Sequence, residues 1–187
     1  NLQLAKQLGV IDEFYTDIAS ALELADCVVL ATPVASTQSI LSLLKPFWSS
    51  DCVYFDVGST KGNVMDAAVR VFGSVPENFI LAHPIAGAEQ SGVSAALDDL
   101  FVGKRLIITP LPTTSQTHIQ QVAQCWETIG AIVAFMDVKQ HDSVLGATSH
   151  LPHLLAFALV NMLGHRDEKE DISRQDNKPD EKQNETK

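Results

Sequence analysis

The sequence predicts an α/β fold with an open, doubly wound and mostly parallel β-sheet. Five short apolar runs occur along the chain, and continuous apolar runs are typical of strands covered on both faces. Amphipathic helical patterns lie between them, and such an alternation of strands and helices is typical of a doubly wound sheet. We predict strands over 26–33, 51–59, 79–84, 105–110 and 131–136, and helices over 36–48, 60–73 and 115–130.

The chain begins inside a helical pattern, NLQLAKQLG, which ends at Gly9. A doubly wound nucleotide-binding domain normally opens with a strand, a glycine-rich turn and a helix. The spacing G-x-G-x-x-G occurs nowhere in the sequence. We therefore expect residues 1–136 to form a partial dinucleotide-binding domain, Rossmann-like but lacking its first βα unit.

Strand patterns stop at Asp137. Residues 137–164 are interpreted as the start of an α-helical domain, and LLAFALVNML is apolar almost all round, which indicates a helix buried by a partner helix or a second subunit. Pro152 must kink this helix or begin it, because proline lacks an amide hydrogen and crowds the preceding turn. Residues 165–187 contain Ile172 as their single apolar residue and are predicted to be a disordered polar tail.

Composition and charge exclude several classes of function. The formal net charge is −10, so nucleic acid is not expected as a partner, because phosphate binding needs an excess of Lys and Arg. No apolar run approaches the ~20 residues of a membrane span, and no signal peptide opens the chain. We expect a cytoplasmic protein with no membrane partner. Cys27, Cys52 and Cys125 lack metal or redox spacing and are interpreted as buried free thiols.

His83 is the first candidate for chemistry. It follows the apolar run FILA at the end of a predicted strand, and ligands of open α/β sheets bind beyond the carboxyl ends of the strands. An imidazole at that place titrates near neutrality and can accept a proton from a hydroxyl group. On the residues alone, a histidine hydrogen-bonded to backbone is the alternative.

Two loops that follow predicted strands are further candidates. GSTKG (58–62) follows the second strand, where Ser59 or Thr60 can cap the next helix and the free helix amides can favour an anionic group. Its spacing is not that of a P-loop. ATPVAST (31–37) follows the first strand, and is either an ordinary connection or a loop that touches a dinucleotide.

SHLPH (149–153) places His150 and His153 on roughly one side of a helix. A zinc site with His141 is one interpretation, but no nearby acidic or cysteine residues have firm ligand spacing, so no metal is predicted. Two capping or interhelical histidines are the alternative. A donating His153 in a cleft would suit a carboxylate substrate.

Four motifs, taken together and in order, resemble the prephenate dehydrogenase family, including its arogenate-using relatives. They are HPIAGAEQSGV (83–93), LF-GK (100–104), HD (141–142) and SHLPHLLAFALV (149–160). The resemblance implies an enzyme of tyrosine biosynthesis that uses NAD or NADP. Its reaction would be the oxidative decarboxylation of prephenate to 4-hydroxyphenylpyruvate, or of arogenate to tyrosine.

The resemblance also implies roles for individual residues. His83 would be the catalytic base, and Ser59 would contact both the substrate hydroxyl and the nicotinamide end of the cofactor. Glu89 and His153 would bind substrate. The residues implied for cofactor binding are Thr32, Pro33, Gly58 and Ser59.

The resemblance covers residues 1–165, and we expect a chain that is incomplete at both ends. The family's glycine-rich fingerprint would precede residue 1, and the arginine that binds the ring carboxylate has no counterpart in a matching context. We therefore expect weak or absent activity from this chain, and a homodimer for the intact family member. A different Rossmann-type hydroxyacid dehydrogenase, or a non-catalytic remnant, is the alternative hypothesis.

Overall fold

The computed structural model describes residues 2–87, 92–152 and 154–162. The chain divides into two compact units, Asn1–Asp142 and Ser143–Lys187, while the predicted domain boundaries stay predictions. The first unit contains a five-stranded sheet in the order β1-β2-β3-β4-β5. The strands are β1 (Cys27–Leu30), β2 (Val53–Asp56), β3 (Phe79–Pro84), β4 (Arg105–Ile108) and β5 (Ile132–Phe135).

The described part of residues 2–145 contains six α-helices, and the last of them crosses the boundary between the two units. They are α1 (Leu2–Gln7), α2 (Ile18–Leu22), α3 (Thr37–Leu44), α4 (Lys61–Phe72), α5 (Gln116–Thr128) and α6 (Val138–Leu145). Helix α2 was not predicted, because five residues are too few to show a helical period. Its start is capped by Asp17, which accepts a hydrogen bond from the Ser20 amide at 2.8 Å.

Proline and glycine set two of the helix ends. The predicted helix over 36–48 is α-helical only as far as Leu44, and Lys45–Phe47 form a 3-10 turn, because Pro46 has no amide hydrogen for the helical ladder. Helix α4 stops at Gly73, as predicted, where φ is 89°. Glycine adopts this left-handed conformation without the strain that a side chain would add.

The sheet is mostly parallel, as predicted, with one antiparallel step. Strands β1, β2 and β3 are parallel, β4 runs antiparallel to β3, and β5 is parallel to β4. A helix lies between the two strands of each parallel pair, whereas the described part of the β3–β4 connection contains only the 3-10 turn Val93–Ala95. Without a helical crossover the chain re-enters the sheet in the opposite direction.

Two apolar cores lie on opposite faces of the sheet, which confirms the doubly wound arrangement. Helices α3 and α4 cover one face, where Leu41 and Val64 are fully buried. Helix α5 covers the other face through residues such as Val122. Neighbouring strand residues belong to different cores, Tyr54 to the first and Phe55 to the second, because successive side chains of a strand point to opposite faces.

The second unit begins within α6. A π-helical segment, Gly146–His150, follows, and residues 151–152 and 154–162 are helical. This wider turn ends two residues before Pro152, whose ring crowds an ordinary α-helical turn. The helical residues after this turn expose apolar side chains, namely Leu151, Leu154, Leu155, Phe157, Leu159, Val160 and Met162. Their cover by a partner helix or second subunit stays a prediction, and the predicted polar tail, 165–187, lies outside the described residues.

The three cysteines are free thiols, but the prediction that all are buried is wrong. Only Cys52 is buried, while Cys27 and Cys125 are exposed. Cys27 begins β1, which has a single neighbouring strand in the described sheet and is therefore covered less completely than β2. Among the described helices, none is long and apolar enough to cross a membrane.

Candidate active site

The carboxyl ends of β1, β2 and β3 lie at one edge of the sheet, because these strands are parallel neighbours. Thr32 and Pro33 follow β1 and are exposed. Gly58 and Ser59 follow β2, and Ser59 is exposed. His83 is half-buried near the end of β3. This edge therefore collects five of the residues that the sequence singles out.

A buried ion pair lies next to this edge. Lys61 Nζ bonds to the carboxylate of Asp56 and donates to the Ala82 carbonyl at 2.6 Å, while the Ala82 amide donates to the second Asp56 oxygen at 3.2 Å. Burial raises the pKa of Asp56 and lowers the pKa of Lys61, because each charged form loses its hydration, and their mutual attraction opposes both shifts. The pair links the end of β2 and the start of α4 to the residue before His83.

Gly58 sits where the loops after β1 and β2 come into contact. Its amide donates to Asp56 Oδ2 at 2.8 Å. A Cβ at this position would lie 2.8 Å from Val34 Cγ2 and 3.0 Å from Asp56 Oδ2, which is closer than real side chains approach. The absence of a side chain is therefore what allows the two loops to pack together at the sheet edge.

His83 belongs to a row of three hydrogen-bonded side chains. Its Nδ1 lies 3.0 Å from Nε2 of His141, which comes from α6 and is fully buried. Nδ1 of His141 lies in turn 2.7 Å from Oδ1 of Asp142. We name these side chains the Asp142–His141–His83 row.

Asp142 also caps helix α4. Its two carboxylate oxygens accept hydrogen bonds from the amides of Lys61 and Gly62, both at 2.8 Å. Burial alone would raise the pKa of Asp142, but the hydrogen bonds from the Lys61 amide, from His141 and from the Gly62 amide outweigh it and hold that pKa below its usual value. A negative charge at a helix N-terminus is also favoured by the helix dipole.

This arrangement corrects the prediction that Ser59 or Thr60 caps the helix. Thr60 occupies the N-cap position, but its side chain makes no capping bond to any described residue. The capping group instead comes from a residue 80 positions after Gly62. The first amides of α4 were expected to favour an anionic ligand, and in the structure they bind the protein's own carboxylate.

The remaining predicted site residues cannot be placed in this geometry. Glu89 and His153 lie outside the described residues, as does the side chain of His150, so their roles stay predictions. Within residues 2–87, 92–152 and 154–162, no group of three His, Cys, Asp or Glu side chains could hold a metal ion.

Sequence reasoning gave no role in this site to four of its residues. Asp56 and Lys61 received no role, although an acidic residue inside a buried apolar strand is a signal for a partnered carboxylate. Asp142 was noted only within the HD motif, and His141 only as a weak zinc ligand. The signal available was that the HD motif pairs an imidazole with a carboxylate in adjacent positions.

Comparison with known proteins identifies the family. The family model described as prephenate dehydrogenase, nucleotide-binding domain, matches residues 1–135. The chain belongs to the prephenate dehydrogenase family. A second prephenate dehydrogenase model, described as the dimerization domain, matches residues 137–177. The family resemblance stated from the motifs is thereby confirmed.

Individual relatives agree with this assignment. Cyclohexadienyl dehydrogenase from Zymomonas mobilis subsp. mobilis is 33% identical over 88% of this chain and 56% of its own length. Prephenate dehydrogenase from Bacillus subtilis is 35% identical over 86% of this chain and 43% of its own length. The chain therefore spans about half the length of these curated relatives.

Solved prephenate dehydrogenase structures share the fold. The enzyme from Aquifex aeolicus superposes with a TM-score of 0.81 at 38% identity, covering 88% of this chain and 59% of that one. The A. aeolicus enzyme in complex with hydroxyphenyl propionate and NAD+ superposes with a TM-score of 0.80 at 39% identity, covering 88% and 57%.

Proposed function

We propose that this chain carries the cofactor-binding and proton-transfer part of an NAD(P)-dependent dehydrogenase of tyrosine biosynthesis. The reaction is the oxidative decarboxylation of prephenate to 4-hydroxyphenylpyruvate, or of arogenate to tyrosine. The observation that carries the proposal is His83 at the carboxyl edge of the sheet, held by a second imidazole, in a chain of this family. The similar A. aeolicus enzyme binds NAD+ and hydroxyphenyl propionate, a ligand with a hydroxylated ring.

His83 acts in this proposal as the catalytic base. Its imidazole accepts the proton of the ring hydroxyl as that carbon becomes a carbonyl. When bound, the cofactor would supply the nicotinamide that takes up the ring hydrogen as a hydride. The ring carboxylate then leaves as carbon dioxide, and its electron pair passes through the ring to the new carbonyl oxygen. That oxygen takes up a proton, and the ring becomes aromatic. Ser59, exposed at the same edge, orients the hydroxyl.

The cofactor is held along the sheet edge by the loops after β1 and β2. Thr32, Pro33 and Ser59 are exposed there, and Gly58 allows the two loops to touch. The amides that begin α4 already bind Asp142, so they do not hold an anionic group of the ligand. Glu89 and His153 bind substrate in this proposal on the strength of their motifs alone.

The exposed apolar helical segments 151–152 and 154–162 support a further part of the proposal. Leu154 is 66% exposed and Phe157 is 70% exposed, and an apolar surface of this kind is typical of a protein interface. The region matches the family's dimerization domain. These observations support a homodimer formed through these residues, which sedimentation equilibrium would test.

Two measurements on this chain test the proposed reaction. Calorimetric titration with NAD+ and NADP+ measures cofactor binding, and the absorbance of reduced nicotinamide measures turnover of prephenate and arogenate. Cofactor-dependent release of carbon dioxide from either compound supports the proposal. Turnover of simple hydroxyacids in place of both compounds would favour a different dehydrogenase. An absence of binding even at millimolar cofactor would favour the non-catalytic remnant.

A further inference from the structure

The Asp142–His141–His83 row has a consequence for the proton on His83, if the proposed function of that residue holds. The carboxylate oxygens of Asp142 can only accept hydrogen bonds, so the contact at 2.7 Å requires a proton on Nδ1 of His141. A singly protonated His141 then presents the lone pair of Nε2 to His83. The contact at 3.0 Å therefore requires the proton of His83 to be on its own Nδ1.

We propose that His141 and Asp142 are positioning residues that hold His83 as the Nδ1–H tautomer, with the accepting lone pair on Nε2. A general base must present a lone pair to the proton that it removes. In the opposite tautomer, Nε2 would carry a hydrogen and would repel the hydroxyl proton. The row therefore selects the form of His83 that can react.

The row also stabilises the cation that His83 becomes. After His83 accepts a proton on Nε2, its Nδ1–H still donates to His141, and the negative charge of Asp142 lies behind that ring. His141 is fully buried, so solvent screens this interaction weakly. The arrangement is similar in logic to a carboxylate behind a catalytic histidine, with one more imidazole between them.

The groups around Asp142 hold its carboxylate in a fixed position. Asp142 is held by the amides of Lys61 and Gly62. The Lys61 ammonium on α4 acts on Asp142 through space, but its direct partner is Asp56 of β2. Asp142 thus remains an anion anchored to a helix start, which keeps its hydrogen bond to His141 directed.

Nuclear magnetic resonance of the unaltered chain tests the tautomer without any substrate. Nitrogen-15 shifts distinguish a protonated ring nitrogen from one with a lone pair, and a coupling through the hydrogen bond would connect His83 Nδ1 to His141 Nε2. At alkaline pH, where imidazoles are neutral, we expect the proton of His83 on Nδ1. A proton on Nε2 would overturn the inference, whatever the enzyme's substrate is.

His141→Phe separates positioning from capping, because Asp142 keeps its bonds to the Lys61 and Gly62 amides. We expect the proton of His83 to be no longer confined to Nδ1, and kcat to fall by on the order of 10²- to 10⁴-fold. Binding of NAD(P)+ should be nearly unchanged. The acidic limb of the pH profile should move to lower pH. The variant removes both the hydrogen-bond acceptor of His83 and its connection to the Asp142 carboxylate, and this loss lowers the pKa of the His83 cation.

Two further variants keep the test interpretable. Gly62→Ala places a Cβ 2.8 Å from Asp142 Oδ2 and displaces that carboxylate without removing any side chain of the row, so it should move the same limb in the same direction. His118→Phe makes the same chemical change on α5 and should leave the tautomer of His83 and the pH profile unaltered. An unmoved acidic limb and a retained Nδ1–H in His141→Phe would show that the row is structural only.

The outcomes also separate this inference from the proposed function. If the chain turns over neither prephenate nor arogenate but His83 carries its proton on Nδ1, the proposed function fails and the positioning role of the row survives. If turnover is observed and His141→Phe retains it with an unshifted pH profile, the proposed function survives and the inference fails.

Discussion

Lys61 and Asp56 form an ion pair whose side chains are 0% and 3% exposed, behind the sheet edge that carries His83. The ammonium also donates to the carbonyl of Ala82, so both charges have hydrogen-bond partners. A buried pair of this kind adds little net stability relative to apolar residues, but removal of one partner leaves a buried charge uncompensated. The pair therefore makes the junction between β2 and α4 sensitive to single substitutions.

Lys61→Met should lower the free energy of unfolding by about 3–5 kcal/mol, because it strands the Asp56 carboxylate in the core. Denaturant titration followed by circular dichroism measures the change. The matched control is Lys6→Met, which breaks the exposed ion pair with Glu13, where the side chains are 44% and 62% exposed. That control should cost no more than about 1 kcal/mol. Equal losses in the two variants would contradict the burial argument.

His83→Asn should reduce turnover of prephenate or arogenate by on the order of 10²- to 10⁴-fold, because asparagine cannot accept the hydroxyl proton. Cofactor affinity should be nearly unchanged, since the cofactor contacts proposed here come from the loops after β1 and β2. Steady-state kinetics and calorimetry with NAD(P)+ measure the two effects. His118→Asn on α5 serves as a control and should leave kcat unaltered. A drop of less than tenfold in kcat for His83→Asn would rule out the base assignment.

Gly58→Ala should destabilise the chain by about 1–3 kcal/mol, because the added methyl group overlaps Val34 and the Asp56 carboxylate. Separation of the two loops should also weaken NAD(P)+ binding. Gly87→Ala is the matched control, since a Cβ there meets no described atom within 4 Å. We expect that control to change stability by less than about 0.5 kcal/mol. Thermal unfolding and cofactor titration of both variants would decide the point.

Cys27 should react slowly with thiol reagents at neutral pH, although its residue is exposed. Burial of the thiol, which disfavours its charged form, is the largest cause that raises its pKa to about 11, and the negative charge of the nearby Asp26 carboxylate adds to the effect. Because the thiolate is the reactive form, the alkylation rate should rise roughly tenfold per pH unit until the pH approaches this value. Mass spectrometry of alkylated peptides follows the rate at Cys27, and Cys27→Ser identifies its peptide. A plateau near pH 9.0, the ordinary pKa, would contradict the shift.

Local patterns were enough to predict the sheet and the helices on its two faces. The apolar run FILAHP became β3 with its predicted bounds, and Gly73 ended α4 as predicted. Side-chain periodicity and end signals depend on neighbours within a few residues, so they are visible in the sequence. The reversed direction of β4 was not visible, because it depends on how the long connection before it returns to the sheet.

For the site, too, some features follow from local patterns and others do not. The sequence predicted that the segments carrying Thr32, Ser59 and His83 each lie at the end of a strand or directly after it, and parallel strands align their carboxyl ends at one edge. Ser59 and Thr60 were candidates for the cap of α4, because a residue next to a helix start is the usual cap. In the structure the cap is Asp142 of α6. It is 80 or more positions from the helix start, so rules that use only neighbouring residues cannot predict it.

The sequence by itself determined the family, the alternation of strands and helices and the position of His83 at a strand end, because motifs and periodicity are local properties of the chain. Only the tertiary structure decided which groups surround that histidine. His141 is 58 positions from His83, and Asp142 is 81 positions from Lys61. Hydrogen bonds depend on distances of about 3 Å and on direction, and folding alone brings such separated atoms to those distances.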